Sequence, residues 1–511
     1  MLACGQCAKR RYSRLRSSHE SVGLSAVSAL PTARIFDGRN HRENISFYPR
    51  DPGRLDFDAI CLRCRHGARS ISLVSLDSPP GAALLECDLV KRDHLSTGPN
   101  EPLYHPIFTL FAYGVFMCTG FFKKLLISTL VSSFFLASST FSEGTNKQQE
   151  ISAVIDSAIR PLMEEYRIPG MAVAVTINGE SYFFNYGVAS LETQRPITNE
   201  TLFEIGSDSK TFTATLASYA QVNGKLSLSD SASKYLPSLR GSSFDNVSLL
   251  NLGTHTSGGL PLQVPDAIRN TDQLMAYFRN WKPTYAAGTH RAYSNPSIGM
   301  LGMIAARSMN ESFDDAIEKT LFPMLGMTHS YINVPSDQMK DYAQGYTKQG
   351  AAIRLNAGVL SSEAYGVKST TADIVRFVAA NMQMIKIDGK LQRAINDTHT
   401  GYFRSGEMTQ DLIWEQYPYP VELKQVLAGN SDAMIYQATE ATELTPPLPP
   451  QANALLNKTG STNGFASYLA FIPAQKLGIV LLANKNYPIP PRVTAAYQIL
   501  TRLGSGLSPQ N

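Results

Sequence analysis

A serine hydroxyl is a poor nucleophile at neutral pH unless a base stands beside it. Phe203-Glu204-Ile205-Gly206-Ser207-Asp208-Ser209-Lys210 supplies both groups, and it leads into a helical pattern of Phe212, Leu216, Tyr219 and Ala220 that ends near Gly224. Ser207 and Lys210 stand one turn apart, so both side chains project from one face. The helix N-terminus adds partial positive charge, which favours an alkoxide and lowers the pKa of a nearby lysine. The S-x-x-K spacing alone carries little weight. Ser231-Ala232-Ser233-Lys234 repeats it in a polar stretch before Pro237, and that copy receives no role.

Tyr293-Ser294-Asn295 is the second element. A phenol has a reference pKa of about 10, so Tyr293 acts as a base only where cations hold it as phenolate. Lysines from other elements would do that. Asn295 can donate its amide to a substrate carbonyl while accepting from a lysine. Tyr331-Ile332-Asn333 has the same pattern and no assigned role. The third element is Lys458-Thr459-Gly460-Ser461, opening a strand that continues from Phe465. It offers an ammonium, a hydroxyl for a carboxylate and a glycine that permits close approach. The backbone N–H of Ser461 can then face that of Ser207 as an oxyanion hole.

These groups lie far apart in the chain, so the fold must gather them. Gln148–Tyr166 has helical apolar spacing. Met171–Ile177 and Glu180–Tyr186 read as strands joined by Asn178-Gly179, a strong type I′ hairpin signal. Phe465–Ile472 and Leu477–Leu482 form a second hairpin, and a terminal helix follows Pro490-Pro491. The expected fold class is α+β, with one antiparallel sheet built from both chain ends and flanked by helices. A helical insertion over roughly 207–440 completes the expected domain, 140–511.

The 511 residues are 43% apolar and 17% charged, which is a globular composition. All six cysteines, the last of them Cys118, lie in the first quarter of the chain. That excludes a disulfide framework, a thiolate nucleophile or a cysteine-held metal in the main body. Residues 1–142 carry a net +6 and residues 143–511 a net −2, so the overall +4 is no sign of nucleic-acid binding. Cys4-Gly-Gln-Cys7 and Cys61-Leu-Arg-Cys64 are too widely separated for an ordinary zinc ribbon. From Met117, Lys123-Lys124, the apolar run Leu125–Ala137 and Ala137-Ser138-Ser139 form the three parts of a secretory signal peptide. Residues 117–139 are therefore expected to direct export to the periplasm, with no stable membrane anchor. Residues 1–116 read as an atypical extension, disordered or upstream of the true start.

The chain from about 148 to 504 resembles the class C (AmpC-type) serine β-lactamases. The three motifs carry that resemblance, as do R-I-P-G-M-A-V-A-V (167–175), H-T-S-G-G-L-P-L-Q (255–263) and L-A-N-K-N-Y-P-I-P-P-R-V (482–493). It implies a fold of the β-lactamase and penicillin-binding-protein transpeptidase type, with the site between sheet and helices. It implies a monomer that needs no cofactor and hydrolyses β-lactams, cephalosporins foremost. Ser207 would be the acylated nucleophile, Lys210 and Tyr293 the proton-handling pair, and Lys458 and Ser461 their partners. Gln263 and Asn295 would bind the side-chain amide of the antibiotic, while Thr459, Asn486 and Arg492 would lie near its carboxylate. Tyr365 would line the wall. Ile489 is a departure, since some relatives carry Asn there.

The competing readings are a D-alanyl-D-alanine carboxypeptidase or esterase on the same serine, and a penicillin sensor that acylates and stops. His255, His290, His329 and His399 are the only histidines of the body and lack metalloenzyme spacing. They read as loop or packing residues, as do Trp281 and Trp414. Glu415 reads as a solvated loop carboxylate.

Overall fold

The computed structural model describes residues 147–506; the extension 1–116 and the signal segment 117–139 lie outside the described residues. Helix α1 (residues 147–166) stops at Ile168-Pro169, and the chain enters strand β1 (Gly170–Ile177). Asn178 and Gly179 have φ of 54° and 86°, the left-handed pair a two-residue hairpin needs, and β2 (Glu180–Gly187) returns beside β1.

The chain then builds helices before returning to the sheet. The helices that matter for the site are α2 (Ser209–Val222), α3 (Asn295–Ser308), α4 (Ser361–Tyr365) and α5 (Thr371–Asn381). Strands β3 (Gly401–Ser405), β4 (Met408–Asp411) and β5 (Glu415–Pro418) follow. After them come β6 (Thr442–Leu448), β7 (Ala454–Ser461), β8 (Ala466–Ile472), β9 (Leu477–Ala483) and the terminal helix α6 (Ile489–Gly506). The nine-stranded order is β6-β3-β4-β5-β7-β8-β9-β1-β2, and every neighbouring pair is antiparallel. The sheet therefore does not come from the chain ends alone. Residues 401–418, expected inside the helical insertion, supply three strands. Their short length and the polar Thr409-Gln410-Asp411 hide the strand alternation in the sequence.

Side chains alternate across the sheet with period two. In β1, Ala172 and Ala174 join the core under the helical body, while Met171, Val173 and Val175 join the core under α1 and α6. Leu469 and Phe471 divide from Tyr468, Ala470 and Ile472 in the same way. Both faces are covered, so β1, β8 and β9 read as continuous apolar runs. Prolines 490 and 491 lie inside the first turn of α6, not before it; no helical N–H bond is needed there. Among the described residues no helix is long and apolar enough to cross a membrane.

Candidate active site

The nucleophile segment is held by its neighbours on both sides. Gly206 has a φ of 52°, and a Cβ there would lie 2.5 Å from the Ser461 nitrogen, so the turn runs directly against the end of β7. A Cβ on Gly460 would lie 2.0 Å from the Ile205 carbonyl oxygen. The two glycines thus let the backbones of 205–207 and 460–461 touch. Helix α2 is anchored by Phe212, whose ring meets Phe377 of α5 at 4.4 Å and Phe322 at 5.2 Å.

Lys210 is fully buried, and its Nζ donates to Ser207 Oγ at 2.9 Å and to the Ala364 carbonyl of α4 at 2.7 Å. Tyr293 stands across from it just before α3, which begins with Ser294 accepting from the Ser297 N–H and with Pro296 in the first turn. Lys210 Nζ lies 5.2 Å from the centre of the Tyr293 ring, and Lys458 Nζ of β7 lies 5.1 Å from it. Both lysines are buried. Burial pulls Lys210 down to about 8, against the attraction of Tyr293. Burial pushes the Tyr293 phenol up, yet Lys210 and Lys458 outweigh it and hold the phenol below its ordinary value. For Lys458, burial opposes the charge, while Tyr293, Glu415 and Asp208 hold it above the usual lysine value. The arrangement can accept a proton from Ser207 and pass it on.

The remaining expected residues border a cleft of about 810 Å³ that Ser207, Tyr293 and Lys458 also line. Gln263 accepts from the Asn295 amide at 2.9 Å, and Tyr365 and Thr459 form walls. Asn295 Oδ1 is buried without a hydrogen-bond partner, so it does not accept from a lysine here; Lys210 is turned to Ala364 instead. Asn486 donates to the Thr462 carbonyl at 2.7 Å. Arg492 is 1% exposed and spends its donors on Gly460, Ser467, Pro488 and Tyr487 carbonyls, with Ser461 Oγ at 3.1 Å. These bonds brace the end of β7, while Arg492 still borders the cleft beside Ser461 and Asn486.

Two groups correct the sequence reading. Glu415 is a buried residue of β5, not a solvated loop carboxylate. Its Oε1 pairs with Arg291 at 3.2 Å and faces Lys458 Nζ at 3.8 Å. Arg291, 5.4 Å from the Tyr293 ring, received no role from the sequence, although it stands two residues before the tyrosine. His255 packs on Tyr293 at 4.3 Å, and burial with Arg291, Lys210 and Lys458 nearby holds it neutral. The packing reading of the two tryptophans and of His399 agrees with their burial.

The Beta-lactamase family model matches residues 155–503. The chain belongs to that family. A β-lactamase of Pseudomonas fluorescens is 51% identical over 354 residues, which is 69% of this chain and 99% of the relative. A solved class C β-lactamase in complex with cefoxitin is 58% identical, with a TM-score of 0.68 over 70% of this chain and 99% of that one. A solved D-alanine carboxypeptidase AmpC from Burkholderia cenocepacia is 54% identical, with a TM-score of 0.67 over 69% and 99%. The fold of this β-lactamase family member is that of the class C structures.

Proposed function

We propose that the chain is a class C serine β-lactamase that hydrolyses the ring amide of β-lactams, cephalosporins foremost, through an acyl-enzyme on Ser207. The single observation that carries this reading is the 2.9 Å contact of Lys210 Nζ with Ser207 Oγ beside a phenol flanked by two buried lysines. Ser207 Oγ attacks the ring carbonyl while its proton passes to the Lys210, Tyr293 pair. The developing oxyanion lies between the amides of residues 207 and 461, a position supported by the backbone approach at Gly206. The ring C–N bond breaks, and the nitrogen takes a proton through Tyr293. Water activated beside Tyr293 then releases the acid. Gln263 and Asn295 hold the side-chain amide, and Thr459 and Asn486 face the carboxylate end.

The test is turnover of a chromogenic cephalosporin, with mass spectrometry for the covalent adduct. Ser207→Ala is expected to lose both, and retained hydrolysis would overturn the scheme. The Burkholderia cenocepacia neighbour favours a second reading, D-alanine carboxypeptidase activity of the same serine. Release of D-alanine from a D-alanyl-D-alanine peptide at a rate above cephalosporin turnover would select it.

We also propose export to the periplasm, with cleavage near Ala137-Ser138-Ser139 and a monomeric product. N-terminal sequencing and light scattering of the exported protein test both points.

A further inference from the structure

Asp208 immediately follows the nucleophile and occupies the N-cap position of α2. An aspartate there normally accepts from the N–H of the second or third helical residue. Asp208 does not: its backbone is already helical, with φ −65° and ψ −20°, and its side chain makes no capping bond. The carboxyl turns inward instead. It is 0% exposed, and neither oxygen has a hydrogen-bond partner. A Cβ placed on Gly460 would lie 3.1 Å from its carboxyl carbon, so the group sits directly beneath the K-T-G strand.

An unpartnered buried carboxyl is costly unless charge nearby repays it. Four cations of the active-site region are buried: Lys210, Arg291, Lys458 and Arg492. Glu415 meets Arg291 and Lys458 directly. Arg492 makes no ion pair among the described residues, and Lys210 makes none either. Asp208 feels Lys458 from β7, Arg492 from α6 and Lys210 from α2. Strand β8 carries the Ser467 hydroxyl, which lies close by but donates to the Ile205 carbonyl at 2.7 Å, and the Tyr468 phenol, and the adjoining α4 carries Glu363 and Tyr365. Burial pushes the carboxyl up to about 7, while Ser467 and the three cations pull it back.

We propose that Asp208 is a positioning residue: its buried carboxylate, aimed beneath the K-T-G strand without a hydrogen-bond partner, is the counter-charge behind the reactive serine for Lys210, Lys458 and Arg492. It fixes the pH range over which Lys210 and Tyr293 give up a proton and Lys458 keeps one. Removing this negative charge makes proton loss easier at all three groups. The direction is the same whichever member of the Lys210, Tyr293 pair is the base. This inference rests on the reading of these residues as the catalytic machinery.

The experiment is the pH profile of kcat/KM for a chromogenic cephalosporin, measured on the full chain with Asp208→Asn and Asp208→Val. Both limbs are expected to slide to lower pH by about half a unit or more in each variant. Limbs that stay in place while only the height falls would mean a structural role and overturn the proposal. Val keeps the test available should the buried Asn amide spoil folding, and thermal melting checks both variants. Infrared difference spectra of unliganded wild type against Asp208→Asn give a readout free of turnover. A carboxylate band assigned to Asp208 is expected above pH 8, and its absence there would also overturn the proposal. Should Ser207→Ala still turn over substrate, the catalytic reading fails while the infrared comparison still decides the charge of Asp208.

Discussion

The chain holds the S-x-x-K spacing twice, and the two copies have opposite fates. At the first, Lys210 is fully buried and its Nζ rests on Ser207 Oγ at 2.9 Å. At the second, the Lys234 side chain is 58% exposed and pairs with Asp230 at 2.8 Å, while Ser231 Oγ meets Ser233 Oγ at 3.3 Å. Burial pulls Lys210 down to about 8, whereas the Asp230 contact holds Lys234 above the ordinary lysine value. One lysine is prepared to take a proton and the other to keep it. Spacing is common to both. The difference comes from what packs over the lysines: β7 and the Tyr293 segment enclose Lys210, whereas Lys234 stands in water.

The comparison breaks first at the serines. Ser207→Ala is expected to lower kcat by roughly a thousandfold or more, because the covalent step is lost, while Ser231→Ala leaves it unchanged. Equal losses in the two variants would contradict the assignment. The lysines come next. Lys210→Ala should cost about 10²–10⁴ in kcat/KM, the range of a positioned proton carrier, and Lys234→Ala should cost nothing measurable. The tyrosine pair behaves alike on a similar scale. Tyr293→Phe removes a phenol held low by two lysines, whereas Tyr331→Phe removes one held high by burial and near carboxylates. Turnover within twofold of wild type for Tyr293→Phe would show that Lys210 alone handles the proton.

Much of this is legible in the sequence. Asn178-Gly179 announced its hairpin because few other pairs adopt two positive φ values in succession. The continuous apolar runs of β1, β8 and β9 announced strands, and the fold explains their continuity by covering both faces of the sheet. The three motifs stood out because their order was informative where each tripeptide was not. Strands β3 to β5 were not legible, since they are short and bury polar Gln410, Asp411 and Glu415, which break the apolar alternation. The same polarity hid Glu415 and Arg291 from the site. A buried ion pair between residues 124 positions apart leaves no periodic trace. The carbonyls that fix Arg492 against the end of β7 are a tertiary fact with no trace in the sequence. Asp208 was equally hidden, because an aspartate at a helix start reads as a cap.

That hidden ion pair provides the finest test of the same contrast. Arg291–Glu415 is buried at 3.2 Å, while Lys234–Asp230 lies at the surface at 2.8 Å. The shorter contact should matter less, because water screens it and its side chains give up freedom to form it. Inside the sheet the reverse holds, since a charge that loses its partner cannot be rehydrated. Glu415→Gln preserves shape and an accepting oxygen but leaves Arg291 and Lys458 without their shared anion. Its expected cost is about 1–3 kcal/mol of stability, read from denaturant unfolding, against no measurable change for Asp230→Asn. Activity should fall by less than about tenfold, because Tyr293 and Asp208 still face Lys458. Its basic limb should move to lower pH, since the attraction that holds the Lys458 proton is weakened. A basic limb that did not move would mean that Glu415 serves Arg291 alone, and that the second cation at Tyr293 is held by the phenol and by Asp208.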